Sequence, residues 1–196
     1  TGKTLALLAA ALTWQRKNYE TNRSTIYYVS RTHPQLKQAV DELKRSNLTW
    51  DGFKMIVLGS REQYCLNPCA RAGTKDCSQL IQKEECEWHA NFPLLAHQTK
   101  EKIQDIEDLI ADGKSVGGCP YYAARMRAAG ADLVFLPYNY LLDIGIFSRM
   151  NLNLTESIII FDEAHNIEDV ARSAASLEMN QDMLRAYMET LLYCSD

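Results

Sequence analysis

Several things are scarce in this chain of 196 residues, and each scarcity excludes something. It has only 9 Gly and 5 Pro, too few for a linker-dominated or collagen-like chain. No run approaches the roughly 20 apolar residues that span a bilayer as a helix. The longest apolar block, Leu5 to Leu12, gives way to Trp14-Gln15-Arg16-Lys17. There is no excess of positive charge: 21 Lys and Arg against 25 Asp and Glu leave −4. The chain is no polycation, so nucleic-acid binding would have to use a local basic groove. It shows no internal repeat, no low-complexity stretch, no initiating Met and no signal-peptide pattern. It opens inside what reads as a motif, so we expect a piece of a longer protein, cut at both ends.

What is present is globular. The chain is 46% hydrophobic and 23% charged, enough for one sizeable core, or for one core plus a small inserted module. Thr4 to Gln15 is rich in Leu and Ala and reads as a helix. Thr25-Ile26-Tyr27-Tyr28-Val29 reads as a buried strand. Thr32-His33-Pro34 opens a second helix, with Leu36, Ala39, Val40 and Leu43 on one face. Phe53 to Leu58 is a further strand. From Ser60 to Pro120 the alternation stops, and Cys and charge take over. One helix is expected there, from about Leu94 to Ala111. A helix at Tyr121 to Ala129 and strands at Asp132 to Leu136 and Ser157 to Phe161 then restore the rhythm. Strands alternating with helices imply an α/β fold with a parallel sheet.

Thr1-Gly2-Lys3-Thr4 before a helix matches the tail of a G-x-x-x-x-G-K-S/T loop. Gly2 lets backbone N–H groups face a phosphate, and the helix N-terminus adds partial positive charge. Lys3 would reach the β- and γ-phosphates of a nucleotide, and Thr4 would hold Mg²⁺. A G-K-T match alone is equally consistent with a simple helix start. The stretch Ser157-Ile158-Ile159-Ile160-Phe161-Asp162-Glu163-Ala164-His165 strengthens the nucleotide reading. It places acids at the C-terminal end of an apolar strand, where α/β sheets bind ligands. Asp162 would hold Mg²⁺ through water, and Glu163 would orient and deprotonate the attacking water. His165, one turn on, would couple this site to another part of the molecule.

Five of the six Cys fall within residues 65–119. Nothing suggests secretion, and clustered thiols point to metal or redox chemistry more than to disulfides. Cys65, Cys69, Cys77, Cys86 and Cys119 are candidate ligands, and their spacing does not choose between zinc and an iron–sulfur cluster. His89 is a ligand by type, but a lone His beside Trp88 more often packs or hydrogen-bonds. Cys194 lies far away and reads as a free thiol. Arg61, Tyr64, Arg71, Tyr121, Tyr122, Arg125 and Arg127 supply cations and aromatic faces of the kind that hold single strands. Tyr121 and Arg125 are one helical turn apart and share a face.

Asp162-Glu163-Ala164-His165 with Gly2-Lys3-Thr4 resembles the superfamily 2 helicases. The resemblance narrows with Ser60-Arg61-Glu62-Gln63-Tyr64-Cys65, with Cys119-Pro120-Tyr121-Tyr122 and with Pro137-Tyr138-Asn139-Tyr140-Leu141-Leu142. These match the XPD-like iron–sulfur DNA helicases over nearly the whole chain. That likeness implies a RecA-like motor domain at 1–59 and 121–170, an iron–sulfur insert at 60–120, and the start of a helical insertion at 171–196. It implies Cys65, Cys77, Cys86 and Cys119 as the ligands of a 4Fe–4S cluster. Cys69 is then an extra thiol that competes with Cys65 for the first place. It implies ATP and Mg²⁺ bound through Gly2, Lys3, Thr4, Asp162 and His165, with Lys3, Asp162 and Glu163 catalytic. Arg31, Arg61, Tyr121 and Arg125 would lie on the path of single-stranded or forked DNA, with movement 5′→3′. Nuclear location and a genome-maintenance, telomere or repair role follow from the same resemblance. No Q-x-x-G-R-x-x-R segment is present, so a second motor domain in cis would complete the reaction. Two rival readings stand beside this one. One is a zinc-binding nucleic-acid module without ATPase activity, and the other is a P-loop ATPase of another class, such as a metal-cluster carrier.

Overall fold

The computed structural model describes residues 2–20, 24–98, 103–176 and 180–193, the side chains of 191–193 excepted. Thr1 and Cys194 lie outside the described residues. A helix, α1 (Lys3–Asn18), leads into strand β1 (Ile26–Ser30), helix α2 (His33–Lys44) and strand β2 (Met55–Val57). Five helices follow: α3 (Arg61–Tyr64), α4 (Pro68–Arg71), α5 (Cys77–Gln82), α6 (Phe92–His97) and α7 (Ile106–Val116). Then come α8 (Pro120–Ala128), β3 (Leu133–Pro137), α9 (Asn139–Leu142), α10 (Ile144–Met150) and β4 (Ile158–Phe161). A 3₁₀ turn (Ala164–Asn166), α11 (Ile167–Ala174) and α12 (Gln181–Tyr193) complete the order.

The four strands form one parallel sheet in the order β2-β3-β1-β4. Every residue of β1 and β3 is buried, as a parallel sheet covered on both faces requires. On one face Ile26 and Tyr28 pack with Leu8 and Leu12 of α1 and with Leu36, Ala39, Val40 and Leu43 of α2. Those four α2 positions are the stripe that the sequence spacing predicts. Thr32 begins that helix: its N–H donates to Gln35 Oε1 at 3.1 Å, and Pro34 sits in the first turn, where a missing N–H costs nothing.

On the other face Tyr27 and Val29 pack with Ala123 and Ala124 of α8 and with Tyr64, Leu95 and Leu109. Residues of the Cys-rich stretch thus share this core with the sheet. The helix expected over Leu94 to Ala111 is two helices. α6 ends at His97, and Asp105 starts α7 afresh by accepting from the Asp108 N–H at 2.9 Å. Three side-chain links tie α7 to α2: Lys44 bridges Asp105 (2.9 Å) and Asp108 (2.6 Å), and Lys37 meets Glu107 (2.8 Å).

β4 differs from the buried strand expected. It pairs with β1 on one side and is one of the two edge strands among the described residues, with Ile159 38% exposed. No described helix is long and apolar enough to cross a membrane.

Candidate nucleotide site and thiol pocket

α1 starts without a side-chain cap and without an acid in its first turn, so its leading N–H groups stay available. Gly2 has an ordinary φ of −64°, and nothing stands within 4 Å of where a Cβ would be. Lys3 Nζ donates to Glu163 Oε1 at 3.0 Å. Both side chains keep contact with solvent, at 68% and 35% exposed. The hydrogen bond and charge of Glu163 raise the Lys3 pKa above its ordinary value, with Asp162 adding to the effect. Lys3 in turn holds the Glu163 carboxyl below its ordinary value, helped by His165.

The acids sit where the sheet ends. Asp162 N–H donates to the Val29 carbonyl at 2.8 Å, and the Tyr138 hydroxyl donates to the Asp162 carbonyl. The main chain of Asp162 is therefore held from β1 and from the end of β3. Glu163 follows in the left-handed region, φ 54° and ψ 50°, uncommon for a residue with a Cβ and typical of functional sites. That turn aims its carboxylate back at Lys3. His165 Nδ1 lies 3.5 Å from Glu163 Oε2, and its ring is mostly exposed. Next to it, Asn166 Oδ1 accepts from Arg31 Nη1 at 2.9 Å. Arg31 follows β1, so this bond links the acidic loop to the end of the neighbouring strand.

The thiols gather elsewhere. Cys65, Cys77, Cys86 and Cys119 line one small pocket with Trp88, His89 and Tyr122. They come from the end of α3, the first turn of α5, the loop after α5, and the residue before α8. Cys69 is exposed and does not line the pocket. Cys119 is the most buried of the four. Burial pushes its thiol up to about 11, against the pull of the Tyr122 and Tyr121 N–H groups at the start of α8. Burial also raises Cys77, against the Arg61 charge. The described thiols are free, and no three His, Cys, Asp or Glu side chains among the described residues converge closely enough for a single ion.

Beside this pocket Arg61 and Arg125 both stack on the Tyr121 ring, 5.1 and 5.6 Å from its centroid. Arg125 Nη1 also donates to the Tyr121 hydroxyl at 3.2 Å. Two other residues of the basic and aromatic set serve the fold. Tyr64 is buried and donates to the Val57 carbonyl at 2.6 Å. Arg127 is spent on α6: it donates to the carbonyls of Leu95 (2.7 Å), Ala96 (3.1 Å) and Gln98 (2.7 Å), and to Gln104 Oε1 (2.7 Å). Sequence reasoning missed both Tyr138 as the support of Asp162 and Asn166 as the partner of Arg31. The hydrogen-bonding side chains in Pro137-Tyr138-Asn139 and directly after His165 were the available signals.

A parallel sheet with a lysine-led helix start facing an acidic strand end is the arrangement of a RecA-like domain. The chain belongs to the DEAD_2 family, whose model matches residues 28–184. It is 35% identical to a regulator of telomere elongation helicase 1 homolog of Caenorhabditis briggsae, an alignment covering 97% of this chain and 23% of that protein. It is 38% identical to a Fanconi anemia group J protein homolog of Gallus gallus, covering 85% of this chain and 14% of that protein. The chain therefore spans less than a quarter of the length of these relatives. A solved XPD helicase shares the fold with a TM-score of 0.55 at 21% identity, over 85% of this chain and 29% of that one.

Proposed function

We propose that this chain is the first motor domain of an ATP-dependent DNA helicase, with an iron–sulfur insert between β2 and α8. The observation that carries the reading is the meeting of Lys3, Thr4, Asp162 and Glu163 at one end of the sheet. Lys3 and Glu163 neutralise each other across their 3.0 Å contact. A triphosphate at the start of α1 draws the Lys3 ammonium onto its phosphate oxygens, where the charge is larger, and the free N–H groups of α1 supply further donors. Glu163 is thereby released, next to the γ-phosphate, to orient a water and take its proton. The hydroxyl of Thr4 and the fixed main chain of Asp162 suit a Mg²⁺-nucleotide. Mg²⁺, when bound, neutralises developing phosphate charge. The charge on the transferred phosphoryl needs a further arginine, which we assign to a second motor domain in cis.

The donor chemistry of the thiol pocket fits a 4Fe–4S cluster: four thiols from four separate elements, with no carboxylate among them. Cys65, Cys77, Cys86 and Cys119 would hold it, and Cys69, exposed and aside, would not. The cluster would supply a staple, joining short helices whose core is borrowed from the sheet. Arg61, Tyr121 and Arg125 form a stacked cation–aromatic–cation unit beside it, suited to a single strand. Arg31, tied to the acidic loop through Asn166, would grip the backbone and report strand contact to Glu163 and His165. By the relationship to telomere and Fanconi anemia helicases, we place the parent protein in the nucleus, in genome maintenance, moving 5′→3′ on single-stranded or forked DNA.

Two measurements on the full protein carrying this chain test the reading. Its ATPase is expected to rise with single-stranded DNA and to be lost in Lys3→Ala. Anaerobic purification is expected to give a brown protein with broad absorption near ~400 nm and iron and sulfide in equal amounts. A colourless protein with stoichiometric zinc and no ATPase would support the zinc module instead.

A further inference from the structure

Tyr28 sits in the middle of β1 with no exposed surface, its ring 5.3 Å from that of Phe135. Its hydroxyl is buried and makes no hydrogen bond of good geometry, while the Thr4 and Asp162 side chains lie within reach of it. A buried hydroxyl left so poorly bonded is costly, and native folds seldom keep one without a use. The register shows where it points. Tyr28 pairs with Ile160, and both belong to the face that packs on α1. Asp162 lies two residues beyond Ile160, and side chains two apart along a strand share a face. Burial pushes the phenol well above its ordinary pKa, so it stays protonated and able to donate. The polar side chains acting on it are Thr4 and Asp162, ahead of Glu42. The main chain of Asp162 is already fixed by Val29 and Tyr138, so its carboxylate is the part left to be placed.

We propose that Tyr28 is a positioning residue of the nucleotide site, whose hydroxyl donates to the Asp162 carboxylate when Mg²⁺-nucleotide is bound and so holds it toward Thr4. The inference rests on the reading of that end of the sheet as the nucleotide site. It assigns the ring of Tyr28 to packing and its oxygen to placing the Asp162 carboxylate. The competing acceptor is Glu42 Oε2, itself buried and without a partner among the described residues. A hydroxyl that served Glu42 would stabilise the fold whether or not nucleotide was present.

The two cases separate in the full protein carrying this chain, using a fluorescent ATP analogue titrated with Mg²⁺ and, in parallel, in EDTA. Tyr28→Phe keeps the ring and its contact with Phe135. It is expected to melt at or slightly above the wild-type temperature without nucleotide. It is expected to bind the analogue normally in EDTA, and to need about tenfold more Mg²⁺ for half-maximal binding. An unchanged Mg²⁺ midpoint overturns the proposal. So does a lower melting temperature with equal loss of binding in EDTA, which would assign the hydroxyl to Glu42 and the fold. Lys3→Ala distinguishes the two levels: if it binds the analogue as wild type does, the nucleotide site itself is wrong and Tyr28 falls with it.

Discussion

Replacing Arg127 by alanine removes a guanidinium that closes the C-terminal end of α6. Three of its bonds go to the carbonyls of Leu95, Ala96 and Gln98, which the end of a helix leaves without intrahelical partners. The fourth, to Gln104, reaches toward α7 across 2.7 Å. A hydrogen bond to a charged group contributes about 1.5–3 kcal/mol. Four bonds through one group do not add, because losing the first frees the rest to relax. Burial already pulls the Arg127 pKa down, and that desolvation offsets part of the gain. The carbonyl of Leu95, a residue with no exposed surface, would meanwhile lose its partner. The balance is a loss of about 3–5 kcal/mol, the cost of breaking a buried charged contact. In the full protein this is best read locally, by hydrogen exchange of the α6 amides. Opening of α6 is expected to become about 10²–10⁴ times more frequent. Arg127→Lys, which keeps the charge but not the fork, is expected to recover a minor part. Exchange within a factor of three of wild type would refute the reasoning and return Arg127 to the DNA-facing set.

Three more expectations follow from the same region of the fold. Burial acts to raise the Asp105 carboxyl, but the Asp108 N–H and Lys44 outweigh it and hold its pKa below the ordinary value. A depressed acid stabilises the fold above its unfolded pKa of ~4 and loses that as pH falls through the folded value. Exchange protection in α7 should therefore hold at neutral pH and fall only below about pH 4. Protection that disappears between pH 8 and 6 would contradict this. Gly118→Ala would put a Cβ 2.8 Å from the Asn91 carbonyl and 2.9 Å from Leu95 Cβ, with backbone among the obstacles. It should cost about 1–3 kcal/mol in melting experiments and lower iron retention at the neighbouring Cys119. Full iron content with unchanged melting would argue against that packing. Arg61→Ala, on the stacked Tyr121, should weaken single-stranded DNA binding and lower the salt slope by about 0.7 for each phosphate that Arg61 neutralises. An unchanged slope would place the strand elsewhere.

The legible part of the fold was that in which one segment carries its own signal. β1 is five buried residues, and α2 presents Leu36, Ala39, Val40 and Leu43 at helical spacing, so period and composition sufficed. The acids at the end of β4 were legible because an apolar strand announces its own terminus. What could not be read depended on distant partners. The break between α6 and α7 lies in a stretch where Ile103 and Ile106 continue the apolar spacing. Only the fresh start at Asp105 reveals it. β4 reads as buried because its composition is apolar, but its faces are only partly covered, unlike those of β2, the other strand with one neighbour, which is buried throughout. Arg127 and Arg125 look alike in sequence. One faces the carbonyls of α6, the other the ring of Tyr121, and that choice is made by the way the surrounding helices pack. The thiol set was drawn from resemblance, and the pocket brings the same four together, leaving Cys69 at the surface.

The most direct measurement concerns Glu163. In Glu163→Gln, carried in the full protein, the ion pair that occupies Lys3 is gone and the base is removed, while the shape of the side chain remains. ATP is expected to bind at least as tightly as to wild type, and single-turnover hydrolysis is expected to slow by about 10²–10⁴-fold. Hydrolysis at the wild-type rate, or loss of ATP binding in step with loss of hydrolysis, would contradict a catalytic carboxylate poised opposite the lysine.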